Sequence, residues 1–341
     1  MKTSQVQTTR FIDGHSLMNF IMSRVHEHSQ SMTDEILSGL RGRPKTIAPK
    51  YLYDANGSRL YDRICELPEY YPTRTESAIL RTYAPEMLAG LGHDLCIIEI
   101  GAGACTKGRL LLETGAASIF VPVDISAEHL RSAGLRVARL FPHVSVHAVV
   151  MDFLISLERL PFLISNGKRR VFLYAGSSIG NLDPADARQL LVRFCRLLRA
   201  GDMLIIGFDL KKDPSALHRA YNDSEGVTAA FNLNILSRLN REFQADFNPV
   251  TFRHDARYND DLGRMEMHLE STAAQEVRVA GDRITFSRDE TIHTESSYKY
   301  TIPEFSEMAA GARLMPCGLW TDGNGYFAVG MFGRKGQPAH V

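Results

Sequence analysis

A short apolar run, Leu95-Cys96-Ile97-Ile98-Glu99-Ile100, leads straight into Gly101-Ala102-Gly103-Ala104-Cys105. An apolar stretch of that length, closed by glycines, reads as a strand buried on both faces. Glycines at its end let the backbone bend sharply and come close to a ligand. The residues from Lys107 to Glu113 then read as a helix. Downstream, the pattern predicts strands at 119–123, 144–150, 170–174 and 202–209, with helices at 127–140 and 184–198. Strands alternating with helices predict a parallel sheet covered on both faces, a Rossmann-like, doubly wound α/β fold.

The acids around the turn decide which ligand it suits. A dinucleotide fold calls for G-x-G-x-x-G/A, and the sixth position here is Thr106. Glu99 stands two residues before the first glycine, a place commonly acidic in methyltransferases. Asp124 ends the second strand, 23 residues after Gly101, where a carboxylate would accept both hydroxyls of a ribose. NAD would use that acid equally. Asp152-Phe153 follows the third strand and suits an adenine, the carboxylate taking the amino group and the ring lying on the base. Each acid alone has a plainer reading as a strand-end cap of the next helix. The three together favour S-adenosylmethionine.

Residues 1–20 read as a loose polar start, and 31–40 as a helix ended by Gly42 and Pro44. A second helix is expected over 75–91, kinked or divided by Pro85. Residues 211–242 read as mostly helical, 252–270 and 274–297 as strands and hairpins, 303–310 as helical and 326–333 as a last strand. Lys+Arg and Asp+Glu both total 39, and zero net charge argues against a nucleic-acid surface. The five cysteines form no C-x-x-C, and no run approaches the roughly 20 apolar residues of a membrane span. A cytoplasmic monomer acting on a small molecule, without membrane or nucleic acid, is the expectation. His26 and His28 form an H-x-H with no third ligand, so no metal is expected. Lys211-Lys212-Asp213 reads as a solvated charge cluster.

Three stretches are more specific: Tyr53-Asp54-Ala55-Asn56-Gly57-Ser58 with Leu67-Pro68-Glu69-Tyr70-Tyr71-Pro72-Thr73-Arg74, then Gly176-Ser177-Ser178-Ile179-Gly180-Asn181, then Thr294-Glu295-Ser296-Ser297. Together, from about Lys50 to Phe332, they resemble the histidine Nα-methyltransferases of ergothioneine biosynthesis. The resemblance implies three successive methylations of the α-amine of L-histidine, giving hercynine, in a two-lobed enzyme with its substrate between the lobes. It implies a methyltransferase domain of residues 75–209 and 299–341, a substrate-binding α+β lobe of 22–74 and 210–298, and an N-terminal extension, 1–21. Gly101, Lys107, Asp124, Asp152 and Phe153 would hold the cofactor, with Tyr53 nearby. Asn181 and Tyr221 would take the α-carboxylate, and Gly176 and Ser178 would lie near the α-amine. Glu295 and Ser297 would hold the imidazole, with Tyr70 and Met267 around it. Ala102 and Cys105 depart from the smaller or hydroxylic residues usual in that turn.

The chemistry is consistent with these residue types. No general base stands out. Tyr53, Tyr70 and Phe231 offer aromatic faces to a quaternary ammonium. On a strand, Glu295 and Ser297 share a face. A carboxylate and a hydroxyl satisfy both nitrogens of an imidazole, whereas an indole leaves the hydroxyl unmatched, at about 1–3 kcal/mol. The residues alone allow plainer readings. Glu295, Ser297 and Lys299 could alternate along an exposed strand edge, Asn181 could cap the helix after Asp183-Pro184, and Tyr221 could be a packed helix aromatic. Met265 and Met267 read as one face of a strand. The alternatives are an Nα-methyltransferase of another aromatic amino acid such as tryptophan, a non-catalytic S-adenosylmethionine-binding protein, and an NAD-dependent oxidoreductase.

Overall fold

The computed structural model describes residues 6–13, 16–25, 32–163 and 167–334. The chain divides into two compact units, one drawn from residues 1–27, 72–211 and 300–341, the other from 28–71 and 212–299. Among the described residues no helix is long and apolar enough to cross a membrane.

A nine-stranded sheet forms the first unit. From edge to edge its strands are Val6–Asp13, Ser16–Val25, Ser145–Val150, Ala117–Asp124, Leu95–Ile100, Arg170–Tyr174, Met203–Asp209, Phe327–Arg334 and Leu314–Thr321. The six from Ser16–Val25 to Met203–Asp209 pair in parallel. Every residue of Leu95–Ile100, Arg170–Tyr174 and Met203–Asp209 is buried, as strands covered on both faces require. The chain leaves Leu95–Ile100 in one direction across the sheet and returns on its other side at Arg170–Tyr174. Ligands of open α/β sheets bind at such a reversal, beyond the carboxyl ends of the strands. Beside Met203–Asp209, where a dinucleotide fold would continue with another parallel strand, this sheet instead closes with an antiparallel hairpin.

The helices Thr106–Leu112, Ala127–Leu140 and Pro184–Leu197 lie where the pattern places them. Other expectations are corrected. The described residues of the expected loose start are strands, since Val6–Asp13 pairs with Ser16–Val25, which joins the sheet and pairs Phe20 with Val146. Phe20 is fully buried, and Gly134 makes room for its ring, because a Cβ there would come within 2.6 Å of Phe20 Cε2. The strand Leu314–Thr321 gave no clear signal. It is an edge with Pro316 at a register shift and mostly exposed side chains, so its alternation carries little apolar contrast. Pro85 does not divide its helix, which runs unbroken over Tyr71–Ala89. The amide missing at Pro85 frees the carbonyl of Arg81, and both residues are exposed, so water can satisfy it.

The second unit carries a four-stranded sheet in the order Lys45–Thr46, Thr291–Tyr298, Arg264–Ser271, Phe252–Asn259, and a separate ribbon of Gln275–Val279 with Asp282–Phe286. Helices Met32–Arg41, Ala55–Glu66, Pro214–Tyr221 and Val227–Glu242 accompany them. The Asp54 to Gly57 string is architectural. Asp54 caps its helix by accepting from Gly57 N at 2.7 Å, and is held by Asn234 and Arg241 at 2.8 and 2.6 Å. Gly57 is required because a Cβ would overlap the Leu52 carbonyl.

Candidate active site

In the first unit, the carboxyl ends of the two strands at the reversal carry the glycine turn and the loop 175–181. Gly101 and Gly103 take φ of 68° and 48°, and Cys105 joins them at 60°. A Cβ on Gly103 would meet nothing within 4 Å, while one on Gly101 would sit 3.9 Å from Phe153 Cε1. The turn and Phe153 therefore line one place, open on the Gly103 side. Asp124 accepts from Gly103 N at 2.9 Å and Ser126 N at 2.8 Å. Burial raises its carboxyl above the usual range, and those two amides offset only part of that rise. Each oxygen keeps a lone pair for a further donor. Asp152 does cap the short helix Phe153–Ser156, accepting from Leu154 N at 3.0 Å through one oxygen.

Glu99 lies inside this turn. It is 2% exposed and accepts from Gly108 N at 2.9 Å, tying the strand to the helix that follows. Its Oε2 is buried with no hydrogen-bond partner among the described residues, and burial pushes the carboxyl up to about 8 from 4.5. A carboxyl raised on folding stabilises the fold while it is protonated in both states, and that contribution drains away as pH climbs from about 4.5 to about 8. Glu99→Gln is neutral throughout, so its melting temperature should gain on the parent over that interval and level off above it. A gap that stays constant with pH would show the parent carboxyl already ionised.

Glu76 was invisible in the sequence. It is 1% exposed and accepts from Lys107 Nζ at 2.8 Å and, through its two oxygens, from Gly176 N at 3.0 and 2.9 Å. Lys107 also donates to the Thr73 carbonyl at 2.8 Å. Gly207 leaves the space, since a Cβ there would overlap Glu76 Oε1. Lys107, expected at the cofactor, thus joins the turn helix to the Pro-Thr-Arg stretch and, through Glu76, to Gly176. Gly176 and Ser177 take φ of 76° and 55°. Ser178 donates to Ala175 O at 2.9 Å, leaving its oxygen to accept. Asn181 ends the short turn Ser178–Asn181 and is not the helix cap, a position Asp183 holds.

In the second unit the exposed-edge reading of Glu295, Ser297 and Lys299 is overturned: all three are buried, at 8%, 5% and 2% exposure. Met265 pairs with Ser297 and Met267 with Glu295, so these four side chains share one face of the sheet. A register shift at Thr294 sets which residues do so. Thr294 Oγ1 has two acceptors within reach of its one proton, Asn232 Oδ1 at 2.7 Å and Met267 O at 3.0 Å, and the shorter contact ties the bulge to the helix Val227–Glu242. Tyr221 ends its helix and donates to Ser297 Oγ at 2.8 Å. Lys299 Nζ donates to Ser297 Oγ at 2.8 Å and to Tyr221 Oη at 3.1 Å. Tyr70 stands edge-on to Tyr221 at 6.2 Å. From there the aromatics continue through Tyr61 at 6.4 Å to Tyr53 and Phe231, which stand 5.5 Å apart. Tyr61 and Lys299 were missed as site residues, the first for want of a polar pattern, the second because alternation cannot separate a buried lysine from a solvated one.

The Lys211-Lys212-Asp213 cluster is structured too. Lys211 pairs with Glu304 at 2.6 Å, Lys212 donates to Tyr71 Oη at 2.7 Å, and Asp213 caps the helix Pro214–Tyr221. Among the described residues no group of three or more His, Cys, Asp or Glu could hold a metal ion, and His26 and His28 lie outside them.

Comparison with known proteins gives a match over residues 32–334 to the family described as histidine-specific, SAM-dependent methyltransferases. The chain is 39% identical to a histidine N-alpha-methyltransferase of Mycolicibacterium smegmatis, over 93% of this chain and 98% of that one. It is 40% identical to that of Mycobacterium tuberculosis, over 87% and 93%. It is 31% identical to ergothioneine biosynthesis protein 1 of Neurospora crassa, over 87% of this chain but 34% of that longer protein.

Proposed function

This chain belongs to the histidine-specific, SAM-dependent methyltransferase family, and on that premise we propose how its residues divide the reaction. The enzyme transfers methyl groups from S-adenosylmethionine to the α-amine of L-histidine, forming hercynine in the first step of ergothioneine biosynthesis. The bound sulfonium supplies an activated methyl with an excellent leaving group. What the protein adds is alignment and desolvation, on the order of 7–11 kcal/mol in favourable cases.

In the first unit, Gly101, Gly103 and Phe153 bed the adenosyl group, Asp124 takes the ribose hydroxyls and Asp152 the adenine amino group. The shared lining of Gly101 and Phe153 and the open side of Gly103 fit that load. Lys107 supports it through Thr73 and Glu76. Asn181 offers its amide to the α-carboxylate. Gly176 and Ser178 serve the α-amine, with Ser178 Oγ free to accept an N–H. In the second unit, Tyr221 serves the α-carboxylate, Glu295 and Ser297 take the imidazole, and Met267 and Tyr70 pack around it. Tyr53 and its aromatic neighbours offer faces to the growing trimethylammonium. The substrate is a free amino acid met by a neutral monomer, in a cytoplasm where five free cysteines stay reduced.

The observation that carries this reading is the shared face of Met265, Met267, Glu295 and Ser297, an apolar floor with one carboxylate and one hydroxyl. Incubation with S-adenosylmethionine and L-histidine should raise the mass of histidine by three methyl units, with L-tryptophan left unchanged. Methylation of tryptophan in preference to histidine, or of neither, rejects the reading.

A further inference from the structure

S-adenosylmethionine carries a positive sulfur, and the S-adenosylhomocysteine left after transfer does not. A site that admits the cation has to keep other uncompensated positive charge away from it. The glycine turn opens the helix Thr106–Leu112, and the second residue of that helix is Lys107. The Lys107 side chain is 11% exposed, so its charge is poorly screened by solvent. An ammonium has three protons. One goes to the Thr73 carbonyl at 2.8 Å and one to Glu76 Oε2 at 2.8 Å. The carbonyl is neutral, so the charge is answered at Glu76.

The neighbouring acids do not share that task. Glu99 acts on Lys107 from further off, and burial pushes its carboxyl up to about 8, so at neutral pH it is mostly uncharged. Asp124 accepts from Gly103 N and Ser126 N instead. Glu76 is 1% exposed, and its oxygens also take the N–H of Gly176 at 3.0 and 2.9 Å. In the same loop, the Ser178 hydroxyl gives its proton to Ala175 O at 2.9 Å. Positive ends on both sides of the reversal, an ammonium and an amide, are thus held by one buried carboxylate.

We infer that Glu76 is a positioning residue for the methyl donor: it neutralises the buried ammonium beside the glycine turn, so that the turn can admit a sulfonium. This rests on the reading above, which beds S-adenosylmethionine at that turn. Glu76 need touch neither donor nor amino acid. It acts through the charge of Lys107, and a pair that served stability alone would treat sulfonium and thioether alike.

The test is calorimetric titration of the full-length enzyme with S-adenosylmethionine and with S-adenosylhomocysteine, in the absence of histidine. The two ligands differ by one methyl and one charge, and the methyl is the same in every variant. A change in the ratio of their Kd values therefore isolates the charge. Glu76→Gln keeps the shape and an accepting oxygen but leaves Lys107 unanswered, and it should weaken S-adenosylmethionine relative to S-adenosylhomocysteine by about threefold or more. Lys107→Met leaves the carboxylate unanswered and should move the ratio the other way. The double variant is neutral at both positions and should return to within about twofold of the parent ratio. Should Glu76→Gln fail to fold, Lys107→Met and the double variant decide the matter. A ratio that stays constant, or moves the same way in both single variants, overturns the inference, while trimethylation of histidine by the parent keeps the reading above intact. A parent that binds neither ligand overturns that reading and the inference together.

Discussion

Replacing Glu295 with alanine should lower kcat/KM for L-histidine by about 10- to 100-fold while leaving affinity for S-adenosylmethionine within about twofold. The range follows from one charge-assisted hydrogen bond, about 1.5–3 kcal/mol, at 1.4 kcal/mol per factor of ten. Glu295 is 8% exposed, so its loss removes a hydrogen-bond partner from a buried position. Glu295→Gln keeps an accepting oxygen without the charge and should lose less. Preference over L-tryptophan should narrow in both variants, because histidine engages both Glu295 and Ser297 whereas the indole, with one N–H, leaves Ser297 unmatched. The measurement is steady-state kinetics on both amino acids beside calorimetric titration of the cofactor. Parallel loss of cofactor and histidine affinity would place Glu295 among structural residues instead.

Glu76→Ala should destabilise the fold by about 3–5 kcal/mol, the usual result of stranding one half of a buried ion pair. Glu76 and Lys107 have side-chain exposures of 1% and 11%, and the same carboxylate holds the Gly176 amide. Removing it leaves an ammonium and an N–H without their acceptor. The pair Glu76→Ala with Lys107→Met should therefore be less damaged than the two single changes added together, by about 1 kcal/mol or more. Urea unfolding of the four proteins measures this coupling. Strict additivity would mean that Lys107 relies on Thr73 alone and that Glu76 does not link the glycine turn to Gly176.

Much of the donor half was legible because it rests on local rules. A buried parallel strand advertises itself as an unbroken apolar run, a sharp turn demands glycine, and strand-end acids at regular intervals follow from the repeat of strand and helix. Gly101, Asp124 and Asp152 could be named in that way. The specific strings also hid architecture, since Asp54, Asn56 and Gly57 serve a helix cap, a side-chain pair and a close backbone approach. Alternation was silent on the edge strand Leu314–Thr321 and on Ser16–Val25, where Leu17-Met18 and Phe20-Ile21-Met22 are apolar in succession instead of by turns.

The linear order of residues by itself determined the layered α/β architecture, the glycine turn with its acids, and the pairing of Glu295 with Ser297 on one side of a strand. Those are properties of neighbours within a few residues, set by backbone sterics and by the two periodicities. Only the tertiary structure decided that Glu295, Ser297 and Lys299 are buried, that Thr294 bulges onto Asn232, and that Glu76 joins Lys107 to Gly176. Burial and hydrogen-bond partnership depend on residues 31 to 100 positions away, and no local pattern records which distant segment will arrive. A carboxylate written in a sequence has no environment until the fold supplies one.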